Sequence, residues 1–171
     1  DLLHQTLKTH FGFDTFRPHQ EDIIHHVLDG GHALVIMPTG GGKSVCFQLP
    51  AIIKEGFALV ISPLISLMND QVRSLRANGI NSGALHSGTS AEESREIMYH
   101  IHNGTLKILY ISPERALTPK FLEFIAPLKV SLIAIDEAHC VSIWGNDFRP
   151  EYAQLPGLMQ YFPDVPVLAL T

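Results

Sequence analysis

Five short, mostly apolar runs recur along the chain: ALVIM (33–37), FALVIS (57–62), KILYIS (107–112), SLIAID (131–136) and VPVLALT (165–171). Each is too short for a core helix and lacks the in-out alternation of a half-exposed strand, so each reads as a strand covered on both faces. SGALH (82–86) suits a further short strand. Helical stretches separate them. In RPHQEDIIHHVLDGG, Pro18 suits a first turn, Ile23, Ile24, Val27 and Leu28 form a stripe, and Gly30 suits the stop. A helix should follow the glycines at 40–42, bent or ended by Pro50. LISLMNDQVRSLRANG closes on Asn78-Gly79, and AEESREIMYHIHNG opens on Ser90 with Glu93 and ends at Gly104. Thr118-Pro119 opens PKFLEFI, and PEYAQLPGLMQYF is helical with a break at Pro156. Strands alternating with helices at this spacing imply βαβ units, right-handed crossovers and a mainly parallel sheet with helices on both faces, an α/β fold. Without an internal repeat or linker, residues 1–171 read as one domain.

The chain has 171 residues, 46% hydrophobic and 17% charged, enough to bury a core and too apolar for disorder. No apolar run approaches the ~18 residues that span a bilayer, and no export signal opens the sequence. Cys46 and Cys140 sit in apolar surroundings and read as reduced thiols rather than a disulfide. An intracellular protein is expected: cytoplasmic in a bacterium, nuclear in a eukaryote. A net charge of −5 argues against a domain coated in positive charge for a polyanion, though a few local contacts would suffice for a translocating protein. The histidines at 25–26 and 100–102 lack the companion ligands of a zinc site and read as solvent-facing helix positions.

MPTGGGKS (37–44) interrupts the apolar pattern between a strand and a helix. A glycine-rich turn there exposes main-chain N–H groups at the positive end of a helix, which makes an anion site. Thr39 lies in that turn. Gly40, Gly41 and Gly42 let backbone wrap a phosphate chain, Lys43 reaches the β- and γ-phosphates, and the Ser44 hydroxyl suits Mg²⁺. The general P-loop pattern G-x-x-x-x-G-K-[ST] fails only at its first position, which is Met37. A second element is LIAIDEAHC, an apolar strand ending in carboxylates. Asp136, at the end of a strand, suits Mg²⁺ through water, and Glu137 suits orienting and deprotonating an attacking water. Together these residues point to hydrolysis of a nucleoside triphosphate. No arginine is marked as a finger. Such a residue raises rates by about 10³–10⁵. If a further domain supplies it, this chain alone should hydrolyse ATP very poorly.

MPTGGGKS with DEAH resembles a superfamily 2 helicase, and FGFDTFRPHQ, ISPLISLMNDQV, YISPER and CVSIWGNDFRPEY, in that order, resemble the RecQ family of DNA helicases. The resemblance covers nearly the whole chain. It implies a RecA-like P-loop NTPase fold, ATP with Mg²⁺, and DNA, single-stranded or partly duplex, as partner. Gln20 is similar to the family's adenine-reading glutamine, whose amide pairs with an N6 donor and an N7 acceptor. Phe13 would stack on the base and Arg17 would assist nearby, while Phe16 reads better as packing. Ser62 and Ser112 fall in segments that touch the nucleic-acid backbone, although strand-to-helix capping would use the same residues. Trp144, Phe148 and Arg149 lie in one loop just after the carboxylates, suited to stacking single-stranded bases or, alternatively, to forming a packed apolar lid. His139 would couple that loop to hydrolysis. The family usually carries histidine where this chain has Asn146, which keeps an amide but cannot become cationic.

The resemblance thus implies the first of two RecA-like domains of a 3′-to-5′ ATP-dependent DNA helicase. The second domain of the same protein would close over the nucleotide. A P-loop ATPase without a nucleic-acid role is the alternative from another class, and a binding module without turnover is a third.

Overall fold

The computed structural model describes residues 1–38, 42–138 and 155–171. The chain opens with α1 (Leu2–Thr6), capped by the Asp1 carboxylate and continued by a π-helical turn over Leu7–Phe11. There follow α2 (Gln20–Leu28), β1 (Ala33–Val35), α3 (Lys43–Ile53), β2 (Phe57–Ile61), α4 (Ile65–Ala77), β3 (Ser82–Leu85) and α5 (Ala91–His102). Then come β4 (Ile108–Ile111), α6 (Pro113–Ala116), α7 (Pro119–Ile125), β5 (Val130–Ile135), α8 (Leu155–Met159) and β6 (Val167–Leu170). The six strands form one sheet in the order β1-β6-β5-β2-β4-β3, every pair parallel.

The apolar runs work as the pleat demands. Along β2, Phe57, Leu59 and Ile61 enter one core while Ala58 and Val60 enter the other. The first core packs against Ile97 and Ile101 of α5, Phe121 and Ile125 of α7, and Leu158 of α8. The second packs against Val27 of α2, Cys46 and Phe47 of α3, and Met68 and Val72 of α4. Helices therefore cover both faces. A third cluster, Leu3, Leu7, Ile24, Val45 and Leu49, seats α1 on α2 and α3, with Phe16 packed against it. Among the described residues no helix is long and apolar enough to cross a membrane.

Several local expectations shift. Helix α2 begins at Gln20, not Pro18, because His19 takes a left-handed conformation with φ 73°. Strand β1 is three residues at the sheet edge, so Leu34 (65% exposed) and Ile36 (76%) lack the expected cover. Helix α3 runs through Pro50 to Ile53 and is not ended by it. The short α6, opened by Pro113, has no counterpart in the sequence reading. Of PEYAQLPGLMQYF, residues 150–154 lie outside the described residues. Cys46 is fully buried, and burial pushes its thiol up to about 11, which keeps it protonated. Cys140 lies outside the described residues.

A parallel sheet puts all its strand C-termini on one side, and here β2, β4 and β5 are each continued there by one further residue. Ser112 donates its N–H to the Leu85 carbonyl (3.1 Å), Ser62 to Ile111 (3.1 Å), and Asp136 to Ile61 (2.9 Å). Three chemically interesting residues from distant segments are thereby set in one row.

Candidate nucleotide site

At the Asp136 end of that row lies a cleft of about 460 Å³ lined by residues from four segments: Phe13 to Gln20, Gly42 to Phe47, Leu67 with Gln71 on α4, and Asp136 with Glu137. Most are placed there by local chemistry. Gly42 precedes α3 with φ 85°, which glycine adopts without the Cβ penalty. It is also closely overlaid, since a Cβ there would sit 2.3 Å from Gln20 Nε2. Lys43 and Ser44 form the first turn of α3, where unpaired N–H groups and the positive dipole end favour an anion. Gln20 is 4% exposed and bridges two segments: its Oε1 accepts from Arg17 N (2.8 Å) and its Nε2 donates to the Gly42 carbonyl (3.0 Å). That bridge holds the Phe13–Arg17 loop against the glycine turn. Phe13, 51% exposed, also lines the cleft.

At the other end, Asp136 follows β5 by one residue, and its Oδ1 accepts from Glu137 N (3.0 Å). Glu137 has φ 55°, a strained value for a non-glycine residue, costing about 1–3 kcal/mol. The tight turn keeps both carboxylates half-buried on the cleft wall. Ser44 and Asp136 both line the cleft, and a hydroxyl with a carboxylate is the hard-oxygen donor set that Mg²⁺ takes. The two cationic groups, Arg17 and Lys43, line the same cleft as these acids.

The structure thus brings together Phe13, Arg17, Gln20, Gly42, Lys43, Ser44, Asp136 and Glu137. Thr39, Gly40 and Gly41 lie outside the described residues, as do His139, Trp144, Phe148 and Arg149. Ser62 and Ser112 sit apart from the cleft lining, 1% and 3% exposed. The Ser62 hydroxyl accepts from Leu64 N at 3.4 Å, and that of Ser112 has no partner among the described residues. The exposed groups of the β2–α4 loop begin at Leu64.

Sequence reasoning missed five lining residues: Thr15, Val45, Phe47, Leu67 and Gln71. Thr15 lies within FGFDTFRPHQ, and Val45 and Phe47 simply follow Lys43-Ser44. Leu67 and Gln71 are four apart on α4 and so share a face, but nothing local says that this face meets a cleft.

Residues 17–171 match the DEAD/DEAH box helicase family. The chain is similar to the ATP-dependent DNA helicase RecQ of Haemophilus influenzae, 53% identical over 165 residues that make up 96% of this chain and 27% of that protein. It is 52% identical over 171 residues to RecQ of Pasteurella multocida, covering 100% of this chain and 26% of the relative. It is 46% identical to the probable helicase RecS of Bacillus subtilis, covering 99% and 34%. The chain therefore spans about a quarter to a third of the length of these relatives. Its fold resembles that of the DUF1998 helicase MrfA, bound to DNA and AMPPNP, with a TM-score of 0.75 at 20% identity, covering 100% of this chain and 26% of that one.

Proposed function

The chain belongs to the DEAD/DEAH box helicase family, and on that premise we propose that it is the first of two RecA-like motor domains in a RecQ-type, ATP-dependent 3′-to-5′ DNA helicase. The observation that carries the reading is the shared cleft, which Phe13, Arg17 and Gln20 line together with the α3 N-terminus at Gly42–Ser44 and the paired carboxylates Asp136–Glu137.

The residues divide the work by chemistry. Phe13 stacks on the base and Gln20 reads its edge, so ATP is favoured over GTP. Main-chain N–H groups of residues 39–42 and of the α3 N-terminus donate to phosphate oxygens. Lys43 neutralises charge on the β- and γ-phosphates. Glu137 orients the attacking water and takes its proton. Mg²⁺, when bound, would be held by Ser44 and Asp136 and would supply charge neutralisation at the phosphates. The second domain of the same protein supplies the arginine and closes the cleft, and the alternation of closed and open states moves the pair along one strand. Single-stranded or partly duplex DNA lies across the sheet edge that carries Ser62 and Ser112. Because both hydroxyls are buried, the exposed residues Leu64 to Ser66 make the backbone contacts after β2. Trp144, Phe148 and Arg149 stack on bases, and His139 passes that contact to Glu137. Such an enzyme works inside the cell, where its DNA is.

The test uses the full-length protein. Single-stranded DNA should stimulate its ATPase. Lys43→Ala should lower kcat by about a hundredfold or more, on the scale of losing one preorganised charge-stabilising donor, while sparing most DNA affinity. No stimulation by DNA would favour an ATPase without a nucleic-acid role. Wild-type turnover in the Lys43 variant would refute the catalytic assignment.

A further inference from the structure

Beside the cleft, near enough to Asp136 for its charge to act on Tyr110, runs a chain of polar side chains that the proposed mechanism does not use. Gln48 on α3 donates its Nε2 to the Tyr110 hydroxyl at 2.8 Å. The Tyr110 hydroxyl in turn donates to Gln71 Oε1 on α4. Gln48 is 6% exposed and Tyr110 2% exposed. The three residues are 62 and 39 positions apart and join the phosphate-binding helix, the sheet and the helix that follows the β2–α4 loop. Burial pushes the Tyr110 hydroxyl well above its usual range, against the Gln48 hydrogen bond and reinforced by the negative charge of Asp136, so it stays protonated and remains a donor.

The direction of the chain decides what reaches the cleft. Tyr110 has one hydrogen and gives it to Gln71, because its oxygen is already receiving one from Gln48. Gln71 Oε1 is therefore committed as an acceptor. What the Gln71 carboxamide still has to offer is its pair of N–H donors, and Gln71 lines the cleft together with Lys43, Ser44, Asp136 and Glu137. A neutral donor with its orientation locked from behind suits a place where negative charge accumulates during reaction. A buried polar network that spans three elements also resists rotation of that amide better than solvent would.

We infer that Gln71 is a further residue of the phosphate end of this site, donating a hydrogen bond to the γ-phosphoryl group as it transfers, with Gln48 and Tyr110 as its positioning residues. This rests on the nucleotide-site reading above. Gln71 acts on the reacting group itself, whereas Tyr110 acts only through Gln71.

The experiment compares Q71E, Q71A and Y110F in the full-length protein by DNA-stimulated ATPase kinetics, with thermal melts as a folding control. Q71E keeps the shape and the acceptor for Tyr110 but loses the donors and adds negative charge. Its kcat should fall at least as far as that of Q71A, with both down by about tenfold or more and KM changed far less. Y110F should give a smaller loss, also in kcat. A merely structural Gln71 would give the opposite order, with Q71E within twofold of wild type and Q71A melting earlier. That order would overturn the inference. Should Q71E not fold, Y110F decides the matter: kcat at the wild-type level overturns it, and a several-fold loss with unchanged KM supports it. An inactive wild-type protein would remove the nucleotide reading and this one together, whereas an active wild type with an indifferent Gln71 removes only this one.

Discussion

Gly42 carries two constraints at once. Its φ of 85° strains any side chain, and a Cβ would land 2.3 Å from Gln20 Nε2. Gly42→Ala should therefore displace Gln20, break its 3.0 Å bond to the residue-42 carbonyl and open the joint between base rim and phosphate cradle. The expected result is loss of binding for a fluorescent ATP analogue by about tenfold or more, with a stability cost of ~1 kcal/mol from the backbone alone. Equilibrium titration and a denaturation curve measure the two effects separately. Gln20 as a site residue is thus legible from its segment, but its grip on the glycine turn is not, because the two lie 22 residues apart. Gln71 makes the same point more strongly. In the sequence it is one polar position on an amphipathic helix, and only the approach of Tyr110 gives its amide a direction.

Among the elements, the helices with local signals came out nearest to their sequence reading. Ser90 caps α5 by accepting from Glu93 N at 3.1 Å, Glu92 and Glu93 stand in the first turn, and Ile97 and Ile101 face the core. All of this sits within twelve residues, so local chemistry specifies it. Ser90→Ala should cost about 1 kcal/mol by leaving that N–H without its cap, read as a shift in the urea midpoint with unchanged slope. Strand β1 is the counter-example. ALVIM has the composition of a buried strand, yet Leu34 and Ile36 are exposed because β1 pairs only with β6 among the described strands. An edge position is a property of the sheet, and the strand does not encode it. Pro50 within α3 is similar: removing one hydrogen bond costs the helix, and the buried contacts of Leu49 and Ala51 on either side hold it together.

At the scale of the whole molecule, the loop after β3 is pinned by a neutral histidine. His86 is 4% exposed, its Nδ1 accepts from Gly88 N (2.9 Å), and its Nε2 meets Asn69 Oδ1 on α4 (2.9 Å). Burial holds its pKa below the usual 6.5, with Glu93 opposing and Arg115 adding to the shift. An unfolded chain would bind a proton at His86 as pH falls below about 6.5 while the folded one would not, so stability is full above that value and is lost on acidification. Thermal melts from pH 7.5 to 5.5 should show a falling Tm, and His86→Gln, which keeps an amide but does not titrate, should flatten that slope. The sequence by itself determined the alternation of covered strands and amphipathic helices, the glycine turn before Lys43-Ser44 and the acidic strand end at Asp136-Glu137. Those features follow from side-chain transfer and backbone sterics acting over a few residues. Tertiary structure alone decided the strand order, the exposed edge at β1, the alignment of Ser112, Ser62 and Asp136 along one row, and the Gln48–Tyr110–Gln71 chain. Each of these depends on groups tens of residues apart meeting at hydrogen-bonding distance, and no local pattern records which pairs will meet.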